Sequence, residues 1–143
     1  MANNNNIVRE FVQADGADAI PRMSRMLHVD KSIADINIKD STCRGYTALL
    51  YQCRFGTTGS VAWLLRQDPP PGIDVRDSDQ TTPLMFAVYS REDPEGKVRL
   101  LLDHGADRDM KDRYGYTALD KARSNNVPAV IDMLENYRPD VSR

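Results

Sequence analysis

The chain has 143 residues, of which 28% are charged and 41% hydrophobic, and its formal net charge at pH 7 is -2. This composition is ordinary for a globular protein of one domain. The slight negative charge argues against a general affinity for nucleic acid, because that affinity needs clustered lysine and arginine side chains.

No segment predicts a membrane span or a secretory signal. The apolar runs are far shorter than the roughly 20 residues that a spanning helix needs, and the N-terminus lacks a basic region followed by an apolar one. The two cysteines, Cys43 and Cys53, do not indicate a disulfide framework. We therefore expect a protein with no membrane partner, located in the cytoplasm or the nucleus.

Two short helical patterns occupy the first 40 residues. Apolar side chains at positions 7, 8, 11 and 12 predict one amphipathic helix, and those at positions 20, 23, 26 and 27 predict a second. Pro21 is compatible with the second helix because it falls in the first turn. The asparagine run in residues 1–6 is expected to fray.

The strongest local signals lie in residues 77–110. Thr82 can cap a helix with its hydroxyl, and Pro83 suits the first helical position, where no backbone N–H is needed. A polar break at 90–96 separates this helix from a second one, and Gly105 ends the second because glycine readily adopts a positive φ. The apolar positions at helical spacing are Leu84, Ala87 and Val88 in the first helix and Val98, Leu101 and Leu102 in the second.

This unit recurs with a period of 35 residues. The recurring tetrapeptides are T-A-L-L from Thr47, T-P-L-M from Thr82 and T-A-L-D from Thr117. Asp77 and Asp112 stand five residues before their threonines, and Thr42 occupies that position in the first copy. A period in the thirties is typical of a stacked array of one supersecondary unit.

Three segments carry a family resemblance: D-R-Y-G-Y-T-A-L at 112–119, T-P-L at 82–84 and L-L-L-D-H-G-A-D at 100–107. They resemble ankyrin repeats, and the resemblance covers about residues 40–137. It implies an all-α solenoid of stacked helix pairs with β-hairpin finger loops. The departures from the family pattern are Gln80 for the finger glycine, Gln52 for the small helix residue, and Leu50, Met85 and Asp120 for the usual histidine.

The resemblance implies a single ankyrin-repeat domain, residues 1–143, with four repeats. The expected repeats are 5–40, 41–76, 77–111 and 112–137, followed by a tail at 138–143. The first repeat matches weakly, as expected for an end repeat that has one neighbour and needs a wettable outer face. Insertions at 67–71 and 91–95 lengthen two of the connections.

No set of residues predicts catalysis or metal binding. His28 and His104 lie in different repeats near helix ends, without partners at ligand spacing. The G-T-T-G-S segment at 56–60 lacks the lysine of a phosphate-binding loop and joins two helices. Cys43 has no histidine nearby in the sequence to activate it. We therefore expect a protein that is not an enzyme and that has no metal and no cofactor.

In ankyrin arrays the finger tips and the inner surfaces of the first helices line a concave groove, which usually holds a partner protein. The expected partner-binding residues are Arg44, Tyr46, Arg54, Phe55, Asp79, Tyr89, Arg113, Tyr114, Tyr116 and Asn125. Arginine and aromatic residues predominate, and these residue types anchor protein interfaces. For Tyr46 and Tyr116 the alternative is packing against the next finger.

The resemblance thus implies a monomeric, non-catalytic protein–protein interaction module, either an adaptor or an inhibitor. Two alternatives stay open: a pathogen or viral ankyrin protein that mimics a host inhibitor, and a structural assembly subunit. Asp132, Glu135 and Asn136 give the last helix a polar outer face, which argues against stacking at that end. No residue identifies the partner.

Overall fold

The structure, a computed structural model, describes residues 4–138 and contains eight α-helices within them. In chain order these are α1 (Asn4–Val12), α2 (Ala19–Ser24), α3 (Ala48–Phe55), α4 (Thr58–Leu65), α5 (Pro83–Val88), α6 (Pro94–Asp103), α7 (Ala118–Ser124) and α8 (Pro128–Asn136). A π-helical turn, Arg25–Val29, continues directly from α2. Residues 4–6 of the asparagine run form the first turn of α1, and residues 1–3 lie outside the described residues.

The helices lie in two rows that stack in chain order, and α3 contacts α4, α5 contacts α6 and α7 contacts α8 between the rows. The first helices α1, α3, α5 and α7 each contact the next, and so do the second helices α2, α4, α6 and α8. This is the stacked arrangement that the 35-residue period predicts, and the all-α repeat fold is confirmed. None of the helices within residues 4–138 is long and apolar enough to cross a membrane.

Three first helices begin at the predicted threonine caps. The hydroxyl oxygens of Thr47, Thr82 and Thr117 each accept a hydrogen bond from the backbone N–H three residues later, at 3.3, 3.3 and 3.2 Å. At α7 the carboxylate of Asp120 also accepts from the N–H of Thr117, at 3.0 Å. Asp120, which departs from the family's histidine, therefore completes a reciprocal capping box.

The connection between α5 and α6 is shorter than the predicted polar break at 90–96. Asp93 adopts a positive φ of 47° and caps α6, because its carboxylate accepts a hydrogen bond from the N–H of Gly96 at 3.0 Å. Pro94 then takes the first helical position, so two residues of the supposed insertion belong to α6. At the other end of α6, Gly105 has the predicted positive φ, with a value of 89°.

The finger loops are tight turns, because residues 4–138 contain no strand and only one isolated β-bridge, between Asp40 and Tyr46. The predicted β-hairpins are therefore wrong in this detail. In each turn the N–H of an aspartate donates to a later carbonyl: Asp77 to Thr81 at 3.2 Å, Asp112 to Tyr116 at 2.9 Å and Asp40 to Tyr46 at 2.8 Å. In the first finger this role belongs to Asp40 and not to Thr42, because that turn is two residues longer.

Buried apolar side chains form one cluster that extends from Phe11 in α1 to Leu134 in α8. Gln52 lies inside it with 0% exposure, at the position that alanine occupies in the next two repeats. Its carboxamide donates to the carbonyl oxygen of Ala14 and accepts from the hydroxyl of Ser60 at 2.8 Å. The second helix pair is thereby tied to the segment that follows α1.

Candidate functional site

An open groove runs along the stack past the C-terminal ends of α3, α5 and α7, and finger turns line its C-terminal part. It consists of a central hollow of about 670 Å³ and a C-terminal hollow of about 800 Å³. The central hollow is lined by Arg54, Phe55, Tyr89, Ser90, Arg91 and Glu92. Tyr89 lines both hollows, so they form one continuous surface.

Four aromatic side chains are exposed in this groove. The exposed fractions are 55% for Phe55, 42% for Tyr89, 70% for Tyr114 and 55% for Tyr116. Phe55 lies in the central hollow, and Tyr114 and Tyr116 lie in the C-terminal one. The groove therefore presents apolar area that is available to another molecule without disturbing the core.

Tyr46 is not part of this surface, and its prediction as a partner-binding residue is wrong. Its side chain is only 2% exposed, and its ring packs edge-on against Phe86 with a centroid separation of 5.2 Å. The tyrosine hydroxyl accepts a hydrogen bond from Arg54 at 3.2 Å. Because α5 covers the first finger at this point, Tyr46 belongs to the core.

Arg44, Asp79 and Arg113 join three consecutive finger tips. The Asp79 carboxylate pairs with the guanidinium of Arg44 on one side and with that of Arg113, at 3.2 Å, on the other. Backbone hydrogen bonds run alongside: Ser78 donates to Arg44 at 2.9 Å, and Arg113 donates to Asp79 at 3.0 Å. The three predicted residues thus hold the fingers in register, while both arginine side chains stay more than half exposed.

Lys121 and Asp112 form an ion pair in the C-terminal hollow, with 2.7 Å between Nζ and Oδ2. Burial acts to raise the pKa of Asp112, but the hydrogen bonds from Lys121 and from two backbone N–H groups lower it below its usual value. Burial acts to lower the pKa of Lys121, and the hydrogen bond to Asp112 raises it overall. The Lys121 ammonium also lies 5.5 Å from the centroid of the Tyr89 ring.

Sequence reasoning missed Lys121, although a signal was present. Lys121 stands 35 residues after Phe86 and 70 after Tyr51, so it occupies a repeat position that is aromatic in the two preceding repeats. A charged residue at such a position indicates a partner within the fold, and Asp112 is that partner. Asn125, by contrast, is exposed but lines neither hollow.

Arg54 is half-buried at the floor of the central hollow. Its guanidinium carbon lies 5.0 Å from the centroid of the Phe55 ring and 5.6 Å from that of Phe86. Together with the hydrogen bond to Tyr46, these contacts fix the direction of the guanidinium.

The two thiols are poorly suited to nucleophilic chemistry. Burial raises the pKa of Cys53 to about 12, and burial followed by the charge of Asp40 raises that of Cys43. Both thiols are therefore protonated at neutral pH. Within residues 4–138, no group of three or more histidine, cysteine or acidic side chains could hold a metal ion.

These features define an all-α repeat protein with an open, aromatic-lined groove. Residues 64–122 match the family model described as ankyrin repeats (many copies). The matched segment and the stacked helix pairs agree, and the chain is an ankyrin repeat protein.

Two relatives show the same similarity. The chain is 31% identical over 99 residues to the E3 ubiquitin-protein ligase hecd-1 of Caenorhabditis elegans, a match that covers 68% of this chain and 3% of the ligase. It is also 31% identical over 91 residues to a putative ankyrin repeat-containing protein of Treponema pallidum (strain Nichols), covering 64% of this chain and 29% of that protein. The chain therefore spans only 3% and 29% of the lengths of these two relatives. Ankyrin repeats generally mediate protein–protein interaction and are generally non-catalytic.

Proposed function

We propose that this protein is a non-catalytic module that binds a partner protein in the groove and acts as an adaptor or an inhibitor. The observation that carries the proposal is the exposure of Phe55, Tyr89 and Tyr114 along one continuous surface. These residues come from three successive repeats, so a partner that covers them spans the array. Large aromatic side chains of this kind dominate the binding energy of many interfaces.

The finger turns give this surface a fixed shape. The chain of ion pairs from Arg44 through Asp79 to Arg113 holds three fingers together, and residues of the second and third fingers line the C-terminal hollow. A surface that is ordered before binding loses less conformational entropy when a partner docks.

We also propose that the protein acts as a monomer in the cytoplasm. The side chains of Asp132, Glu135 and Asn136 on α8 are exposed, which favours a solvated end of the stack over an interface there. Cys43 and Cys53 are free thiols, which suits a reducing compartment.

The test is a set of single truncations, Phe55→Ala, Tyr89→Ala and Tyr114→Ala. A partner is first identified by affinity capture from the source lysate, and it is then purified for titration calorimetry against each variant. Each truncation is expected to weaken binding by about 1 kcal/mol or more, because exposed aromatics are typical anchors. Melting temperatures are expected to stay near that of the wild type, since these side chains are exposed.

Val29→Ala serves as the control, because Val29 is 73% exposed and lies outside the groove. It should change neither binding nor melting. Wild-type affinity in all three groove variants would place the interface elsewhere. A large loss of melting temperature in all three would instead mean that these aromatics support the fold.

A further inference from the structure

We propose that the central hollow binds an acidic side chain of the partner, an aspartate or glutamate beside an apolar residue, and that Arg54 is its anchor. This inference rests on the proposed function, because it names the chemistry of the partner segment that enters the same groove. The occupant is a peptide segment of a protein with a carboxylate at this point.

The charge pairing in the groove singles out Arg54. The other basic residues that line the groove have carboxylate partners: Lys121 pairs with Asp112, and Arg123 pairs with Glu135 at 2.6 Å. At the neighbouring finger tips, Arg44 and Arg113 pair with Asp79. For Arg54 and the neighbouring Arg91, no carboxylate within residues 4–138 comes within ion-pair distance. The central hollow therefore carries positive charge that the fold itself does not neutralise.

The surroundings of Arg54 prepare it for a ligand. A guanidinium has five N–H donors, and the structure uses one of its nitrogens for the hydrogen bond to Tyr46. The rings of Phe55 and Phe86 hold the group without accepting a strong hydrogen bond. The remaining donors can meet the two oxygens of a carboxylate, which match the planar fork of arginine.

Glu92 lines the same hollow and opposes an anion there. Glu92 is exposed and follows Arg91 directly, so the hollow still has two guanidinium groups against one carboxylate. This local excess of positive charge contrasts with the net charge of -2 of the chain. Charge complementarity thus favours an acidic partner segment at the central hollow.

Phe55 and Tyr89 flank the arginine with exposed aromatic area. An acidic side chain on Arg54 would bring its sequence neighbours against these rings, so an apolar neighbour adds buried area. A carboxylate is favoured over a phosphate, because phosphate-reading sites use clusters of arginines. In this hollow only Arg54 is half-buried and held in place by rings, while Arg91 is exposed and Glu92 opposes a second negative charge.

The test uses a displayed library of random dodecamer peptides, selected on the full chain. Selected peptides should contain aspartate or glutamate next to an aromatic or aliphatic residue. In synthetic copies, replacing that acid by its amide should weaken binding to the wild-type protein about tenfold or more. Arg54→Gln should cause a similar loss, and the two changes together should cost little more than either alone, because they remove the same contact.

Arg99→Gln is the matched control, since Arg99 is an exposed arginine on α6 outside the groove, and it should leave binding unchanged. The amide substitution in the peptide is measured on the unaltered protein, so it decides the question even where Arg54→Gln weakens the packing of Tyr46. Arg54→Lys keeps the charge but loses the fork, and it should bind with intermediate affinity.

Three outcomes would overturn the inference. Peptides that depend on Tyr89 but tolerate the acid-to-amide change would refute the acidic subsite and leave groove binding intact. A phosphoserine peptide that binds more than tenfold tighter than its glutamate counterpart would refute the choice of carboxylate. Peptides that bind the Tyr89→Ala and Arg54→Gln variants as tightly as they bind the wild-type protein would lie outside the groove. That result would contradict the proposed function as well.

Discussion

The ammonium nitrogen of Lys97 lies 2.5 Å from the carbonyl oxygen of Gly56. The same nitrogen donates to the hydroxyl of Ser90 at 2.6 Å, and the lysine side chain is fully buried. Gly56 follows α3 and Ser90 follows α5, so one lysine of α6 joins two successive interhelical connections. No carboxylate within residues 4–138 forms an ion pair with it.

Replacing Lys97 should therefore destabilise the stack. Lys97→Ala removes both hydrogen bonds and leaves a cavity, and we expect a loss of about 2–5 kcal/mol in the free energy of unfolding. Lys97→Met keeps most of the volume and should lose less. Urea denaturation of the three proteins measures the difference, and equal stabilities would show that the buried amine contributes nothing.

The same lysine predicts a pH dependence. Burial lowers the pKa of Lys97 below its usual value of 10.5. In the window between the folded pKa and 10.5, the unfolded chain binds more protons, so stability gains from this group as the pH rises. The wild type should therefore gain stability relative to Lys97→Met on going upward through that window. A constant difference would contradict the lowered pKa.

A further prediction concerns Gly56 and Gln52. A Cβ atom at Gly56 would overlap with the Oε1 atom of Gln52, although the backbone there is extended and suits any residue. Gly56→Ala should cost about 1–3 kcal/mol by overpacking. In a Gln52→Ala background the cost should be smaller. A double-mutant cycle by chemical denaturation measures this coupling, and strict additivity would contradict the overlap.

The sequence could predict hydrogen bonds between residues that are close along the chain, but not the long-range contacts of Lys97 and Gln52. Helix starts were predictable because Thr47, Thr82 and Thr117 cap their helices through hydrogen bonds three residues away, and such contacts are visible in a short motif. The bond from Lys97 to Gly56 spans 41 residues, and that from Gln52 to Ala14 spans 38. Pairings of this length depend on how the repeats stack, so no local pattern predicts them.

In the candidate site, the sequence predicted the exposed aromatic residues but not which residues are paired or buried. The variable positions of the repeats located Phe55, Tyr89 and Tyr114, which the structure leaves exposed. Repeat positions alone could not separate exposed residues from paired ones. They do not show that Arg44 is paired with Asp79 or that Tyr46 is buried, because both facts depend on the neighbouring repeat.

Asp112 should make the protein sensitive to acid. Its folded pKa is lowered, so it contributes stability above its unfolded pKa of 3.8 and loses that contribution as the pH falls through the folded value. Asp112→Asn should lower the unfolding free energy at pH 7 by about 1–3 kcal/mol. Below pH 3.8 the variant should lose less stability on acidification than the wild type does. The control is Asp109→Asn, whose side chain is exposed. Parallel stability curves for the wild type and Asp112→Asn would refute this role.

Gly105 tests the end of α6. Its φ of 89° strains any residue with a side chain, although a Cβ atom there would meet nothing within 4 Å. Gly105→Val should therefore destabilise by more than about 1 kcal/mol through the backbone alone. Gly59 offers the contrast, because it lies inside α4 without a positive φ, and Gly59→Ala should be neutral or stabilising. Thermal melting compares the two, and equal effects would argue against a backbone origin.

The last prediction concerns one tripeptide with two environments. Gly-Tyr-Thr occurs at 45–47 and at 115–117, but Tyr46 is 2% exposed and Tyr116 is 55% exposed. Phe86 on α5 covers Tyr46, whereas no described helix packs over Tyr116 in the same way. Tyr46→Ala should cost about 3–5 kcal/mol, as for a large buried aromatic. Tyr116→Ala should cost less than about 0.5 kcal/mol, because the side chain is exposed and the backbone hydrogen bond to Asp112 is kept.

Tyr46→Phe separates the two contributions of the buried tyrosine. It keeps the edge-on contact with Phe86 and removes only the hydrogen bond from Arg54, so its loss should be about 1 kcal/mol. Urea denaturation of the three variants gives the order of stability. Equal losses for Tyr46→Ala and Tyr116→Ala would mean that both tyrosines have the same packing, and Tyr116 would then no longer be a candidate for partner binding.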